Sequence, residues 1–233
     1  MIDVGRIVDF HSHILPGVDH GSDSLATTLF QLDSAKKHGI NKIVSTSHFY
    51  PTVHTVDGFL KKRDFSFSSL LAGNYDIPDI RLGAEVLLCN GIDHLEGIEK
   101  LCIRGTNTLL LELPFSGYSR EYTYTVERLL GNGFNVVLAH ADRYERSIIQ
   151  SLLPLGVKLQ LNASSLVGFN KLKNRYLFDW ANRGLVVALG SDIHGKDAKA
   201  YCRLCSAFCA VGTDSEQILR ASQRIWAQSL LYQ

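Results

Sequence analysis

No run in the 233-residue chain approaches the roughly 18 consecutive apolar residues of a membrane-spanning helix. The opening stretch, MIDVGRIVDFHSH, carries no charged segment leading into a long apolar one. A cytoplasmic protein that is not membrane-inserted is the expectation. An excess of one charge is also missing: 24 basic against 23 acidic residues leave a formal net charge of +1, with no Lys/Arg-rich tract. A phosphate-backbone binder needs such an excess, so nucleic acid is not an expected partner. Linkers, low-complexity tracts and repeats are absent, and 45% hydrophobic residues suffice for one substantial core. One domain over residues 1–233 is therefore expected.

Cysteine is sparse and odd in number, with five residues at 89, 102, 202, 205 and 209, which does not fit a secreted disulfide framework. Cys202, Cys205 and Cys209 invite a metal or iron–sulfur reading. Their spacing i, i+3, i+7 equally puts them on one helix face, where cysteine packs as a small hydrophobe, and that core reading is preferred. No cysteine is followed six positions later by arginine, so the C-x5-R signature of thiol-dependent phosphatases is absent. The GNG at 131–133 lacks the third glycine of a dinucleotide fingerprint and precedes a strand, so it is a turn.

What is present is a rhythm. Short β-branched or apolar runs recur at 7–10, 42–47, 80–86, 108–113, 135–140, 157–162 and 185–191. They alternate with stretches of helical period, including 23–38, 120–132, 170–183 and 196–210. Gly39, Gly133 and Gly184 stand where helices end before strands. Repeated βα units imply a parallel sheet, and seven or eight of them favour a closed barrel.

The strand ends carry an unusual set of side chains. His11 and His13 end the first run, His48 the second, Glu85 the third, Glu112 the fourth and His140 the fifth; Asp192 and His194 follow the seventh, and Asp19 lies in the loop after the first. A lone histidine beside a strand is more often a satisfied surface or core residue than a ligand. His11-x-His13 is more specific, because i and i+2 on a strand face the same way and reach one ion. Asp192-x-His194 repeats that logic. Glu112 sits in LLLELP, too apolar for an unpaired carboxylate, so a metal or a buried salt bridge must compensate it.

These residues carry a family likeness. The segments DFHSHILPGVDHG, STSHFYP, LGAEV, LLLELP, AHADRY, QLNASSLVG and GSDIHG resemble, in order, those of the polymerase-and-histidinol-phosphatase (PHP) superfamily, in its capsule-biosynthesis tyrosine-phosphatase (CpsB-type) branch. The resemblance runs over nearly the whole chain. It implies an α/β fold, a distorted seven-stranded (β/α)7 TIM-like barrel, with three divalent metal ions. By matching motifs, His11, His13, Glu85 and Asp192 would hold the first ion, Glu85 as a bridge with Glu112 and His140 the second, and Asp19, His48 and His194 the third. His20 replaces the second Asp of a D-D-G motif, Ala141 and Asp142 the Pro and Glu of an A-H-P-E-R-Y motif, and Ser164 a Gly; none of these removes a ligand.

The implied chemistry is phosphate monoester hydrolysis. Three divalent ions, four carboxylates and one bridging hydroxide would leave the cluster slightly positive and attractive to a phosphate dianion, with that hydroxide as nucleophile. Mixed N/O ligation suits Mn²⁺, Fe²⁺ or Zn²⁺, and the resemblance favours manganese. Arg143 is the expected phosphate clamp through its forked guanidinium, against the alternative of a surface arginine bridging Asp142 or Glu145. His20 and Tyr50 are further candidates for substrate contact, while Tyr118, Tyr122 and Tyr124 either flank the cleft or pack a helix start. A protein-tyrosine phosphatase opposing a bacterial tyrosine kinase in capsule or exopolysaccharide biosynthesis is the leading expectation. A small-molecule phosphatase, for instance of histidinol phosphate, and a non-catalytic metal-stabilised regulatory module are the alternatives.

Overall fold

The structure, a computed structural model, describes residues 3–115 and 117–228; the other residues of the expected 1–233 domain lie outside that description. Its elements run β1 (Val8–Ser12), α1 (Leu25–Lys37), β2 (Lys42–Ser45), β3 (His48–Phe49), α2 (Val56–Ala72), β4 (Asp79–Leu82), β5 (Glu85–Leu87), β6 (Thr108–Glu112), α3 (Arg120–Gly131), β7 (Asn135–Leu138), α4 (Arg146–Leu152), β8 (Lys158–Asn162), α5 (Asn170–Lys173), α6 (Arg175–Asn182), β9 (Val186–Gly190), α7 (Ala200–Ala210) and α8 (Ser215–Ala227).

All named strand pairs are parallel, in a sheet β1-β2-β4 and a sheet β3-β5-β6-β7-β8-β9. The runs expected as single strands at 42–47 and 80–86 are each broken in the middle, into β2 with β3 and β4 with β5. The cause is local. The Thr46 hydroxyl takes the Ser12 N–H at 3.1 Å, a bond a strand carbonyl would otherwise accept, and the chain turns there. Gly83 turns alongside it, its N–H on the Ser45 carbonyl at 2.8 Å. Past β9, the Asp192 N–H donates to the His11 carbonyl at 2.8 Å and Ser12 bridges Ile193 in parallel, which returns the last strand to the first. Counting β2/β3 and β4/β5 as broken staves, the strands make seven parallel staves in succession with the end of the last laid back on the first, the number expected for a distorted (β/α)7 barrel.

Val8, Phe10, Val44, Leu110, Val137 and Ala188 form one buried cluster. They come from both sheets, so they fill the space where the sheet faces meet, and Ile225 and Trp226 of α8 pack against them. The helices cover the outside. Ser24 and Thr55 cap α1 and α2 by accepting the N–H groups of Thr27 and Gly58. Gly39, Gly133 and Gly184 take the left-handed conformation (φ 76°, 90° and 70°) that ends a helix before a strand, as expected.

Candidate metal centre

In a parallel ring, side chains just past the strand C-termini share one rim. His11 and Glu112 lie at the C-terminal ends of β1 and β6, His13 and His140 just beyond β1 and β7, and Asp192 and His194 just beyond β9. His48 and Glu85 were expected at strand ends; they instead open β3 and β5, where they stand opposite each other in register. The breaks in the second and third staves shift these two residues into a new sheet and bring them level with the rim. His140 (φ 32°) and Asp192 (φ 50°) adopt the left-handed region that non-glycine residues avoid, the kind of local strain that gathers at functional sites.

The geometry within the cluster singles out a cation. His11 Nδ1 meets the Gln160 side-chain oxygen Oε1 at 3.0 Å, and His13 Nδ1 meets the Asp19 carboxylate at 2.8 Å. Both Nδ1 atoms are therefore donors, and in the neutral rings both Nε2 atoms present lone pairs. Those two Nε2 atoms lie 3.0 Å apart. Glu85 Oε2 stands 3.2 and 3.3 Å from them, and Asp192 Oδ1 3.6 and 3.5 Å. Four acceptors thus converge, and only a proton or a metal ion placed among them relieves the repulsion. Glu85 Oε2 and His48 Nδ1, buried and 3.0 Å apart, make no well-aligned hydrogen bond, a costly condition that coordination would remove.

Eight of the nine expected ligands fall into four close groups: His11, His13, Asp192; His11, Glu85, His140; His48, Glu85, Glu112; and His13, His48, His194. The ninth, Asp19, stands behind His13, its oxygens taken by His13 Nδ1 and by the N–H groups of Gly21 and His48. No cysteine enters these groups among the described residues, and a set of imidazoles and carboxylates is the donor chemistry of Mn, Fe or Zn ions.

Electrostatics follow the same lines. Burial would raise the Asp192 and Glu85 carboxyls, but the surrounding imidazoles, and Arg143 for Asp192, hold both below the usual range. Glu112 moves the other way, up to about 7, through burial first and then the neighbouring Glu85 charge. No lysine or arginine pairs with Glu112 among the described residues, where its nearest basic side chains are the His140 and His48 rings at 3.7 and 3.8 Å. His194 falls to about 4, by burial and then by His13.

Above the cluster opens a cleft of about 340 Å³, walled by His20, Tyr50, Phe115 and Arg143. His20 and Tyr50 both stack on the His48 ring, at 4.8 and 5.2 Å between centroids. Burial, then Glu112, pushes the Tyr50 phenol up to about 12, so it keeps its proton and can donate. Arg143 is 44% exposed and donates to Asp192 Oδ2 at 2.5 Å. It does not bridge Asp142, whose carboxylate accepts the Asn162 N–H and the Ser165 hydroxyl. Tyr118 and Tyr122 pack against each other and the core, and none of Tyr118, Tyr122 and Tyr124 is among the residues lining the cleft.

Reading the sequence missed Phe115, Tyr144, Gln160 and Asn162. Phe115 is 70% exposed and its ring is nearly parallel to that of His140, 6.3 Å between centroids. The Tyr144 hydroxyl accepts the Leu113 N–H and meets His140 Nδ1 at 3.2 Å. For Gln160 and Asn162 the signal existed: two amides alternating with leucines in KLQLN, on a strand otherwise fit for the core.

The family model for capsular polysaccharide synthesis, CpsB/CapC, matches residues 7–216. Tyrosine-protein phosphatase CpsB of Streptococcus pneumoniae is 26% identical over 219 residues, 83% of this chain and 85% of its own length. Tyrosine-protein phosphatase YwqE of Bacillus subtilis (strain 168) is 24% identical over 203 residues, 84% of this chain and 80% of its own. Among solved structures, a chain from the work on Bacillus subtilis YwqE and Streptococcus pneumoniae CpsB, described as unique metal-dependent tyrosine phosphatases, superposes with a TM-score of 0.77 at 20% identity, covering 95% of this chain and 94% of that one. Histidinol phosphate phosphatase of Lactococcus lactis, complexed with zinc, L-histidinol and phosphate, gives 0.58 at 15% identity, over 89% and 94%. At these identities the structural likeness establishes the fold.

Proposed function

The chain belongs to the capsular polysaccharide synthesis family CpsB/CapC, and on that premise we propose that it is a metal-dependent protein-tyrosine phosphatase, a single domain that hydrolyses phosphate monoesters and regulates capsule or exopolysaccharide biosynthesis. One observation carries the reading. His11 Nε2, His13 Nε2, Glu85 Oε2 and Asp192 Oδ1 converge as acceptors within 3.0 to 3.6 Å, at the floor of a cleft that an arginine overlooks.

In this reading His11, His13, Glu85 and Asp192 hold a first divalent ion, Glu85, Glu112 and His140 a second, and His48 and His194 a third, which Asp19 joins by giving up its bonds to His13 and to the Gly21 and His48 N–H groups. Manganese is the first choice, iron or zinc the others. Bound there, such ions supply Lewis acidity that neutralises phosphate charge and acidifies an attacking water. The chain's own groups do the rest. Arg143 grips phosphoryl oxygens with its fork once Asp192 is engaged, and Tyr50 donates a hydrogen bond from a phenol that stays protonated. Tyr50, His20 and Phe115 flank the entering ring of an aryl ester, which a flat, apolar wall favours over a flexible alkyl chain. The substrate is a phosphotyrosine protein, with a bacterial tyrosine kinase the expected one. Cytoplasmic action fits this role, and no described helix is long and apolar enough to cross a membrane.

Hydrolysis of a phosphotyrosine peptide and of histidinol phosphate, each with added Mn²⁺, tests the reading. The peptide is expected to give the higher kcat/KM. Preference for histidinol phosphate would move the chain to the small-molecule phosphatases, and hydrolysis of neither by metal-loaded protein would leave a metal-stabilised regulatory module.

A further inference from the structure

β8 supplies none of the nine expected ligands, yet it lies between β7, which leads to His140, and β9, which leads to Asp192. Its polar residues Gln160 and Asn162 alternate with Leu159 and Leu161, so the two amides share one face, and both are buried. A primary amide in a core strand costs stability unless its groups are bonded, and packing alone has no use for two of them.

We propose that Gln160 and Asn162 are positioning residues that set the tautomer of His11, the backbone position of His140 and the orientation of Asp192 for metal binding. The inference rests on the metal-site reading above. The Gln160 side-chain oxygen accepts the His140 backbone N–H at 2.6 Å, and since that group can only donate, the amide's orientation follows. The same oxygen faces His11 Nδ1 at 3.0 Å, so the His11 proton sits on Nδ1 and the lone pair on Nε2 points into the cluster. The Gln160 Nε2 donates to Asn162 Oδ1 at 3.1 Å, which turns the Asn162 Nδ2 toward Asp192 Oδ2 at 2.8 Å. Asp192 Oδ1 is thereby left facing His11 and His13. One relay of two amides fixes groups leading from β1, β7 and β9. Gly190 leaves it room: a Cβ there would fall 2.5 Å from the His11 Cβ and 2.8 Å from Gln160 Nε2.

Outer groups that hold ligands typically change metal affinity by about tenfold to a hundredfold when removed. Calorimetric titration of Mn²⁺ and of Zn²⁺ into chelator-stripped protein measures this directly, with circular dichroism and thermal melting of the stripped protein as fold controls. Gln160→Leu is expected to weaken binding by that factor while the stripped protein still folds. Gln160→Glu keeps the acceptor for His11 and His140 and should recover part of the affinity. Asn162→Ala releases Asp192 and takes the acceptor from the Gln160 Nε2 but leaves the Gln160 oxygen on His11 and His140, and should show a smaller loss. A purely structural role would lower the melting temperature of stripped Gln160→Leu and leave its dissociation constants at wild-type values, and that result would overturn the proposal. If Gln160→Leu fails to fold, Asn162→Ala decides, since unchanged affinity there breaks the relay. Failure of the wild-type protein to bind either metal would instead sink the metal-site reading itself.

Discussion

Arg143 shows at the scale of one side chain what the site asks of a residue that is not a ligand. It reaches the rim from the loop after β7, pairs with Asp192 and remains 44% exposed to the cleft. A preorganised donor to developing charge is worth about two to three orders of magnitude in turnover. Arg143→Ala should therefore lose that factor in kcat with its metal content intact, and Arg143→Lys, which lacks the planar fork, should fall between. A change confined to KM would mean uniform ground-state binding instead. Phe115 makes the second prediction. If its ring forms the wall for an aryl leaving group, Phe115→Ala should cut the preference for aryl over alkyl phosphates by roughly three- to tenfold, the worth of one aromatic contact. Equal loss on both substrate types would remove Phe115 from specificity. The candidate ligands were legible because imidazoles and carboxylates at strand ends have little structural reason to be there. Phe115 was not, since a lone phenylalanine in a loop looks the same whether it lines a cleft or a surface.

At the scale of elements, the cysteines of α7 correct a periodicity argument. Spacing puts Cys202, Cys205 and Cys209 on one face and predicts that face buried. The structure buries Tyr201, Leu204, Ala207 and Phe208 instead, leaving Cys202 and Cys209 exposed and Cys205 half-buried. Both stripes have helical period; the larger apolar volume takes the core side. Leu204→Ala should consequently cost about 2–5 kcal/mol in urea unfolding. Cys209→Ser should stay within about 0.5 kcal/mol, as an exposed site does. The broken staves were equally hidden, because the Thr46 hydroxyl that interrupts β2 acts through Ser12, distant in sequence. A further test concerns α8. Its Glu216 forms a two-bond pair with Arg6, which with Arg220 holds the carboxyl down to about 2. A depressed carboxyl stabilises above its ordinary value near 4.5 and loses that contribution as pH falls toward 2. The acid-side loss of stability should therefore be smaller in Arg6→Ala than in wild type across that window, by thermal melts from pH 5 downward; identical pH slopes would dismiss the pair as a tie.

For the molecule as a whole, the alternation of strands and helices disclosed a parallel ring, and the ring explains why residues from 11 to 194 meet on one rim. Chemistry marks that rim better than size does. A larger cavity, about 590 Å³, lies against α2 and the segment before β6, and its lining, with Arg63, Asp64 and Arg104, contains no histidine. The sequence holds no thiol with the arginine spacing of a cysteine-dependent phosphatase, and the close ligand groups hold no sulfur. Alkylation of the exposed Cys202 and Cys209 should therefore leave turnover nearly unchanged, whereas chelation should abolish it.

The most direct test of the central claim is to strip the protein of metal, return Mn²⁺ in measured increments, and follow bound metal and phosphotyrosine-peptide hydrolysis in the same samples, for wild type and for His11→Ala and Asp192→Ala. The account predicts no turnover in the stripped protein, recovery that rises with bound metal, and loss of both metal and turnover in the two variants. Full activity in stripped wild-type protein would contradict it.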